Sequence, residues 1–320
     1  MPEEILNVIA VVGPTAVGKT RVAIEIAKRL NGEIVSADSM QVYRRMDIGT
    51  AKASPSERHE VPHHMLDVAE PWENYSVARY TDDAKAAVKD IAFRGKLPII
   101  TGGTGLYVDS LLSGREFSEG PGNSGLRESL ALEYDTLGGE KMLERLASVD
   151  PARAARLSAN DKKRIVRALE IYALTGKTIT EHDELSKLAP KPYRTFKVFL
   201  NSKDRGFLYD RIEKRVNRMF EAGLPDEVKS LLDEGVSPEC TSMQAIGYKE
   251  TVLAIRGDCS IDEAKASIKQ GSRRYAKRQL TWFNRYTDAF RLDLGADPDL
   301  AEVAETVCGM FELLVLGTGR

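Results

Sequence analysis

From Val8 to Ala27 the chain reads VIAVVGPTAVGKTRVAIEIA. Five apolar residues, Val8 to Val12, run straight into a glycine. An apolar run without alternation reads as a strand covered on both faces. That calls for a parallel sheet with helices above and below it. Gly13-Pro14-Thr15-Ala16-Val17-Gly18-Lys19-Thr20 then fits the pattern GxxxxGK[ST], between this strand and a predicted helix over Lys19–Leu30. In such a loop the backbone N–H groups and the helix N-terminus converge on an anion. Lys19 adds a point charge, and the Thr20 hydroxyl is placed to meet Mg²⁺. The pattern specifies a diphosphate or triphosphate without saying whose.

The alternation continues. Glu33–Ser36 reads as a second strand, Asn74–Arg94 as an amphipathic helix capped by Ser76, and Leu97–Ile100 as a strand ending in Thr101-Gly102-Gly103-Thr104-Gly105. The pattern then changes: Glu116–Asn123 reads as a loop, and helical periodicity without strands runs from Leu126 to about Leu188. Arg194–Leu200 returns to strand character, Phe207–Glu221 and Asp262–Arg285 are long charged helices, Phe290–Leu294 is a last strand and Pro298–Leu316 a closing helix. The expected fold is therefore α/β, a P-loop NTPase-like parallel sheet with helices on both faces, interrupted by an all-helical insertion. The catalytic core is expected over 1–121 and 190–320, the insertion over 122–189.

Asp38 directly follows the second strand. In parallel sheets the C-terminal strand ends line the ligand crevice, so Asp38 faces the same region as the phosphate loop. A carboxylate there serves as a general base or substrate contact, as a metal ligand, or as a turn cap with Ser39. Gln41 can donate and accept at once, which suits an adenine edge as well as a solvent-facing turn. Asp67, in HHMLD, is placed where a water-mediated metal contact is conceivable. Arg211 and Arg215 share a helix face at i, i+4; they suit either a leaving diphosphate or a solvated salt-bridged surface. Arg274, Lys277, Arg278 and Arg285 form a basic stripe with interleaved aromatics, a pattern for gripping single-stranded or looped RNA, although Trp282 and Phe283 also suit core positions. Lys162, Lys163, Arg164 and Arg167 form a second basic cluster on the insertion. The pair His63-His64 has no third ligand nearby, and Asp82-Asp83 lacks the third acid of a DDxxD motif because residue 86 is alanine.

A net charge of −2 means that any nucleic-acid surface is local. Three dispersed cysteines give neither a disulfide framework nor a zinc site. The N-terminus carries no basic leader, and apolar runs fall short of the roughly 18 residues of a spanning helix. A cytoplasmic protein with no membrane association is expected.

In order, GPTAVGKT, SADSMQVYR with IGTAK, VPHHMLD, GGTGLY, NDKKRIVRALEIYALTGK, QAIGYKE and YAKRQLTWF resemble the motifs of bacterial tRNA dimethylallyltransferases over nearly the whole chain. The resemblance implies transfer of a dimethylallyl group from dimethylallyl diphosphate to N6 of adenosine 37, in tRNAs that read U-initial codons. It places the diphosphate in the Gly13–Thr20 loop with Mg²⁺ at Thr20. It makes Asp38 the base and gives Lys19 and an arginine the leaving diphosphate. That arginine is mapped to Arg211, with Arg215 one turn on as the alternative. The flipped adenosine would meet Asp38, Ser39, Met40 and Gln41. The anticodon stem-loop would meet Thr104, Arg127, Lys163, Arg164, Arg167, Gln244, Gly247, Lys249, Arg274 and Arg278, with one monomer clamping one stem. The stretch REFSEGPGNSG over 115–125 does not match the family pattern, and no spacing for the C-terminal zinc finger of eukaryotic members is present. A small-molecule P-loop kinase and an isopentenyltransferase acting on free AMP or ADP are the competing readings.

Overall fold

The computed structural model describes residues 5–114, 124–188 and 190–317, so the loop expected over 116–123 lies outside them. The elements run β1 (Leu6–Val12), α1 (Lys19–Arg29), β2 (Gly32–Ser36), α2 (Pro55–Glu60), β3 (His63–His64), α3 (Val77–Phe93), β4 (Leu97–Gly102) and α4 (Gly105–Leu112). Five helices follow: α5 (Ser124–Leu137), α6 (Gly139–Val149), α7 (Pro151–Ala154), α8 (Lys162–Thr175) and α9 (Ile179–Leu188). The chain then returns with β5 (Tyr193–Ser202), α10 (Arg205–Glu221), α11 (Leu224–Asp233), a 3₁₀ turn (Ser242–Gln244), α12 (Tyr248–Arg256), α13 (Ile261–Phe283), β6 (Phe290–Leu294) and α14 (Leu300–Phe311). It forms two compact units, one of Met1–Leu112 with Pro192–Arg320, the other of Ser113–Lys191.

In the first unit six parallel strands stand in the order β3-β2-β4-β1-β5-β6. The apolar run of β1 is explained by its place. It pairs with β4 on one side and β5 on the other, and its side chains alternate between two cores. Val8, Ala10 and Val12 face one cluster with residues of α3, α4, α11 and α12. Ile9 and Val11 face the other, with residues of α1, α10 and α14. Because β1 is followed by α1 and flanked by strands that come later in the chain, its C-terminal end is the crevice of the sheet.

The second unit has its own core, in which Leu130, Met142, Leu146, Ile165, Val166 and Leu169 are buried. Positions 165, 166 and 169 of α8 turn inward, so Lys163 and Arg164 are left on the exposed face.

Four helices beside the sheet, α2, α4, α11 and α12, were not anticipated as separate elements. Nor was β3, whose two residues are too few to carry a periodicity. The closing helix begins at Leu300, capped by Asp299, and changes to a π turn after Phe311.

Candidate active site

At the C-terminal edge of the sheet lies a cavity of about 310 Å³. Thr15, Lys19 and Thr20 reach it from the phosphate loop, and Ser36, Asp38, Ser39, Met40 and Gln41 from the end of β2. Thr101, Gly102 and Gly103 reach it from β4, Ile212, Arg215, Val216 and Met219 from α10, and Ile268, Ser272, Tyr275, Arg278 and Gln279 from α13. The side of α10 and the Ala245-Ile246 segment make one wall apolar, while the phosphate loop and Asp38 make the facing part polar.

Gly18 caps α1 at φ +105°, a backbone conformation that favours glycine. Lys19 folds back so that its ammonium donates to the Pro14 carbonyl at 2.7 Å. Burial, reinforced by the neighbouring Arg215 guanidinium and opposed by Asp38, lowers its pKa to about 7. A bound diphosphate favours the charged form. Below pH 7 the ammonium is already present, so binding takes up no proton there. Above pH 7 binding would have to protonate Lys19, and affinity for a diphosphate ligand is expected to fall by up to about tenfold per pH unit. Titration calorimetry between pH 7 and 9, in buffers of different ionisation enthalpy, measures this uptake; Lys19→Arg abolishes it. A flat profile in the unmodified chain excludes it.

The loop is tied to α13 by Gln279, a buried amide that went unnoticed in the basic stripe. Its Oε1 accepts from the Thr15 N–H at 2.8 Å, and its Nε2 donates to the Gly103 carbonyl at 3.0 Å. A Cβ on Gly103 would come within 2.1 Å of that amide nitrogen. Tyr275 lies against Thr104 and Gln279, and burial pushes its hydroxyl up to about 12, so it stays protonated.

Asp38 Oδ1 accepts from the Met40 N–H at 2.9 Å. The turn cap and the cavity contact considered as alternatives therefore coexist, since one oxygen closes the turn while the carboxylate lines the cavity. Thr104 braces the same turn, its Oγ1 accepting from the Ser39 N–H at 3.0 Å. Gln41 differs from the expectation. Its Oε1 accepts from Ser36 at 3.0 Å and its Nε2 faces the Thr50 and Ala51 carbonyls at 3.3 Å, so the amide expected to read an adenine edge is engaged by the protein. Asp67 is likewise spent, in ion pairs with Lys52 at 2.8 Å and Arg58 at 2.7 Å.

The structure sets the two arginines in different surroundings. The Arg211 guanidinium turns to the Ala296 carbonyl at 2.7 Å and lies beside Gly295 and Val17. It lines an adjoining groove that the phosphate loop also borders through Ala16, Gly18, Lys19 and Thr20, and not the cavity itself. Arg215 is the arginine beside Lys19 and Asp38, with its guanidinium donating to the Thr50 carbonyl at 3.3 Å. The two side chains differ by one turn, and the packing of Ile212, Val216 and Met219 turns Arg215 inward.

Of the other expected contacts, Arg278 reaches the cavity and stacks over Tyr275, while Arg274 is exposed and outside it. Gln244 lines the cavity and donates to the Pro238 carbonyl at 2.8 Å. Gly247 serves a helix start, its N–H donating to Glu250 at 2.8 Å, and Lys249 pairs with Glu250. Phe283 is fully buried and the Trp282 indole donates to Asp109 at 2.9 Å, so both rings are anchors of α13 and not free stacking platforms. His64 pairs with Glu33, which Arg94 and Lys96 hold well below the usual carboxylate range; His63 forms part of the cavity wall. Within the second unit, Arg127 and Arg167 meet on the buried Glu170 at 3.0 and 2.8 Å, and Arg164 pairs with Asp161 at 3.1 Å. Both arginines on Glu170 keep about half of their side chain exposed. Among the described residues no cluster of three or more metal-ligating acids, histidines or cysteines occurs, and no helix is long and apolar enough to cross a membrane.

A family model described as IPP transferase matches residues 41–286, and one described as isopentenyl transferase matches residues 6–70. The chain belongs to the IPP transferase family. It is 48% identical to a tRNA dimethylallyltransferase of Caldanaerobacter subterraneus subsp. tengcongensis over 88% of this chain and 90% of that one. It is 45% identical to that of Bacillus cytotoxicus over 96% of each. Among IPP transferase structures, the full-length tRNA isopentenylpyrophosphate transferase of Bacillus halodurans superposes with a TM-score of 0.72 at 39% identity, covering 98% of this chain and 99% of that one. A eukaryotic dimethylallyltransferase captured acting on tRNA superposes with a TM-score of 0.80 at 29% identity, over 98% of this chain and 79% of that one.

Proposed function

We propose that the chain transfers the dimethylallyl group of dimethylallyl diphosphate to N6 of adenosine 37 in tRNAs reading U-initial codons, releasing diphosphate. It would act as a cytoplasmic monomer on the anticodon stem-loop. One observation carries the reading: a phosphate cradle, a carboxylate and an apolar wall line one cavity. A kinase needs the first two; the apolar wall, formed by Ile212, Val216, Met219 and Ile246, suits a five-carbon chain. The names of the relatives support prenyl transfer to tRNA.

N6 of adenine is a weak nucleophile because its lone pair is delocalised into the ring. As N6 bonds to C1 of the prenyl group and the C1–O bond breaks, Asp38 takes the N6 proton and passes it to solvent. The leaving diphosphate gathers charge, and Lys19, Arg215 and the loop amides stabilise it. The adenosine leaves the anticodon stack to reach Asp38, at a cost of a few kcal/mol. Arg127, Lys163, Arg164 and Arg167 on the insertion supply phosphate contacts, which position the RNA. Thr20, which lines the cavity beside Lys19, would hold magnesium through its hydroxyl together with substrate oxygens and water, a mixed oxygen set that this ion accepts without an acidic cage. When bound it neutralises charge on the diphosphate.

Labelled dimethylallyl diphosphate incubated with a tRNA bearing adenosine 37, with the same tRNA bearing guanosine there, and with AMP tests the proposal. Label is expected in the first alone. Label in AMP reassigns the acceptor, and ATP turnover without prenyl transfer overturns the reading.

A further inference from the structure

Between β2 and α2 the chain crosses the active site in an irregular segment, and Gly49, Thr50 and Ala51 of it line the cavity. An irregular segment beside a ligand must have its backbone donors satisfied by something. Here that is one carboxylate from a distant helix. Glu227 Oε2 accepts from the Asp47 N–H at 2.9 Å and the Ile48 N–H at 2.8 Å. Its Oε1 accepts from the Gly49 N–H at 3.2 Å and the Tyr248 hydroxyl at 2.6 Å.

Glu227 lies in the first turn of α11, a helix anchored by the buried Leu224, Val228 and Leu231. Tyr248 is fully buried, and its ring sits so close to the segment that a Cβ on Gly49 would come within 2.3 Å of it. Beyond the cavity-lining residues the segment is fixed again. The Lys52 ammonium, wholly buried, donates to the Tyr43 carbonyl at 2.7 Å and pairs with Asp47 at 2.6 Å and Asp67 at 2.8 Å. Held at both ends, the segment presents the Thr50 carbonyl, which receives the Arg215 guanidinium at 3.3 Å.

We infer that Glu227 is a positioning residue for prenyl transfer: through the backbone of residues 47–50 it aims Arg215 at the leaving diphosphate. The inference rests on the proposed reaction. Glu227 does not line the cavity. It accepts four hydrogen bonds and donates none, so a carboxamide sets its NH₂ either against the Asp47 and Ile48 N–H groups or against the Gly49 N–H and the Tyr248 hydroxyl, of which only the hydroxyl can turn to accept. Displacement of a charge-stabilising group by about 1 Å costs up to about 100-fold in rate.

The test is a double-mutant cycle in the tRNA prenylation assay, with thermal unfolding of every variant as a folding control. Glu227→Gln is expected to lower kcat by roughly 10- to 100-fold with KM for tRNA unchanged, and Tyr248→Phe, which removes one of the four bonds, by less. In an Arg215→Gln background, Glu227→Gln is expected to cost no more than about 2- to 3-fold further, because the group it aims is gone. Equal losses in both backgrounds, or a Glu227→Gln enzyme of wild-type kcat, overturn the inference. If Glu227→Gln does not fold, Tyr248→Phe is carried through the same cycle and decides by the same criterion. An unmodified chain that prenylates no tRNA overturns the reaction reading itself, a separate outcome.

Discussion

Asp38→Asn is expected to slow prenyl transfer to tRNA by about 10²- to 10⁴-fold while leaving the binding of dimethylallyl diphosphate intact. The substitution separates the turn contact of this side chain from its proposed role as base. The carboxamide keeps an oxygen to accept from the Met40 N–H, so the turn after β2, braced by Thr104 on Ser39, survives. What is lost is the ability to take a proton. Single-turnover rates on preformed enzyme–substrate complexes, with diphosphate binding measured in parallel, check the expectation. A variant that loses binding and rate together would show that the carboxylate acts on the cradle through its charge near Lys19, and not on the acceptor amine.

Arg215→Ala is expected to cost about 10²- to 10³-fold in kcat, the loss typical of removing one donor from a developing anion. Arg211→Ala is expected to cost less than about tenfold, since that guanidinium is spent on the carbonyls of Ala296 and its neighbours. The pair makes the comparison internal, because both changes sit on α10 one turn apart. Arg215 also contributes to the lowered pKa of Lys19. Its removal therefore raises that pKa and moves the alkaline loss of diphosphate affinity to higher pH. Steady-state kinetics on both variants decides the matter, and a larger loss from Arg211→Ala would return the role to the arginine named from sequence.

The contrast between these two residues shows where sequence reading stops. β1 and its loop are legible because a central parallel strand is apolar on both faces and because the phosphate pattern is local. Asp38 is legible because strand ends in a parallel sheet converge. Arg211 and Arg215 lie only about 40° apart around the helix, and choosing between them needs the rotation of α10. The buried positions Leu208, Ile212, Val216 and Met219 set that rotation, and they favour 215, which lies three residues after Ile212 and four before Met219. Gln279 was hidden by composition, being one amide among arginines and lysines, and its role depends on two loops far away in sequence. Trp282 is a position where the sequence leaves base stacking and a core place both open. Its place in a basic stripe suggested base stacking, but Gly105 leaves no room for a Cβ beneath the ring, and Asp109 receives its N–H.

The placement of β1 also bears on how the protein loses its ligand. Its backbone is bonded to β4 and β5, its side chains belong to both cores, and the phosphate loop grows directly from its end. The root of the cradle thus lies in a strand buried in both cores, where local fluctuations are costly. Heat or denaturant cannot free the loop from this strand without dismantling the sheet. Diphosphate binding at the proposed cradle is therefore expected to report on the integrity of the whole first unit, and the reciprocal linkage would make a bound diphosphate a stabiliser of that entire sheet.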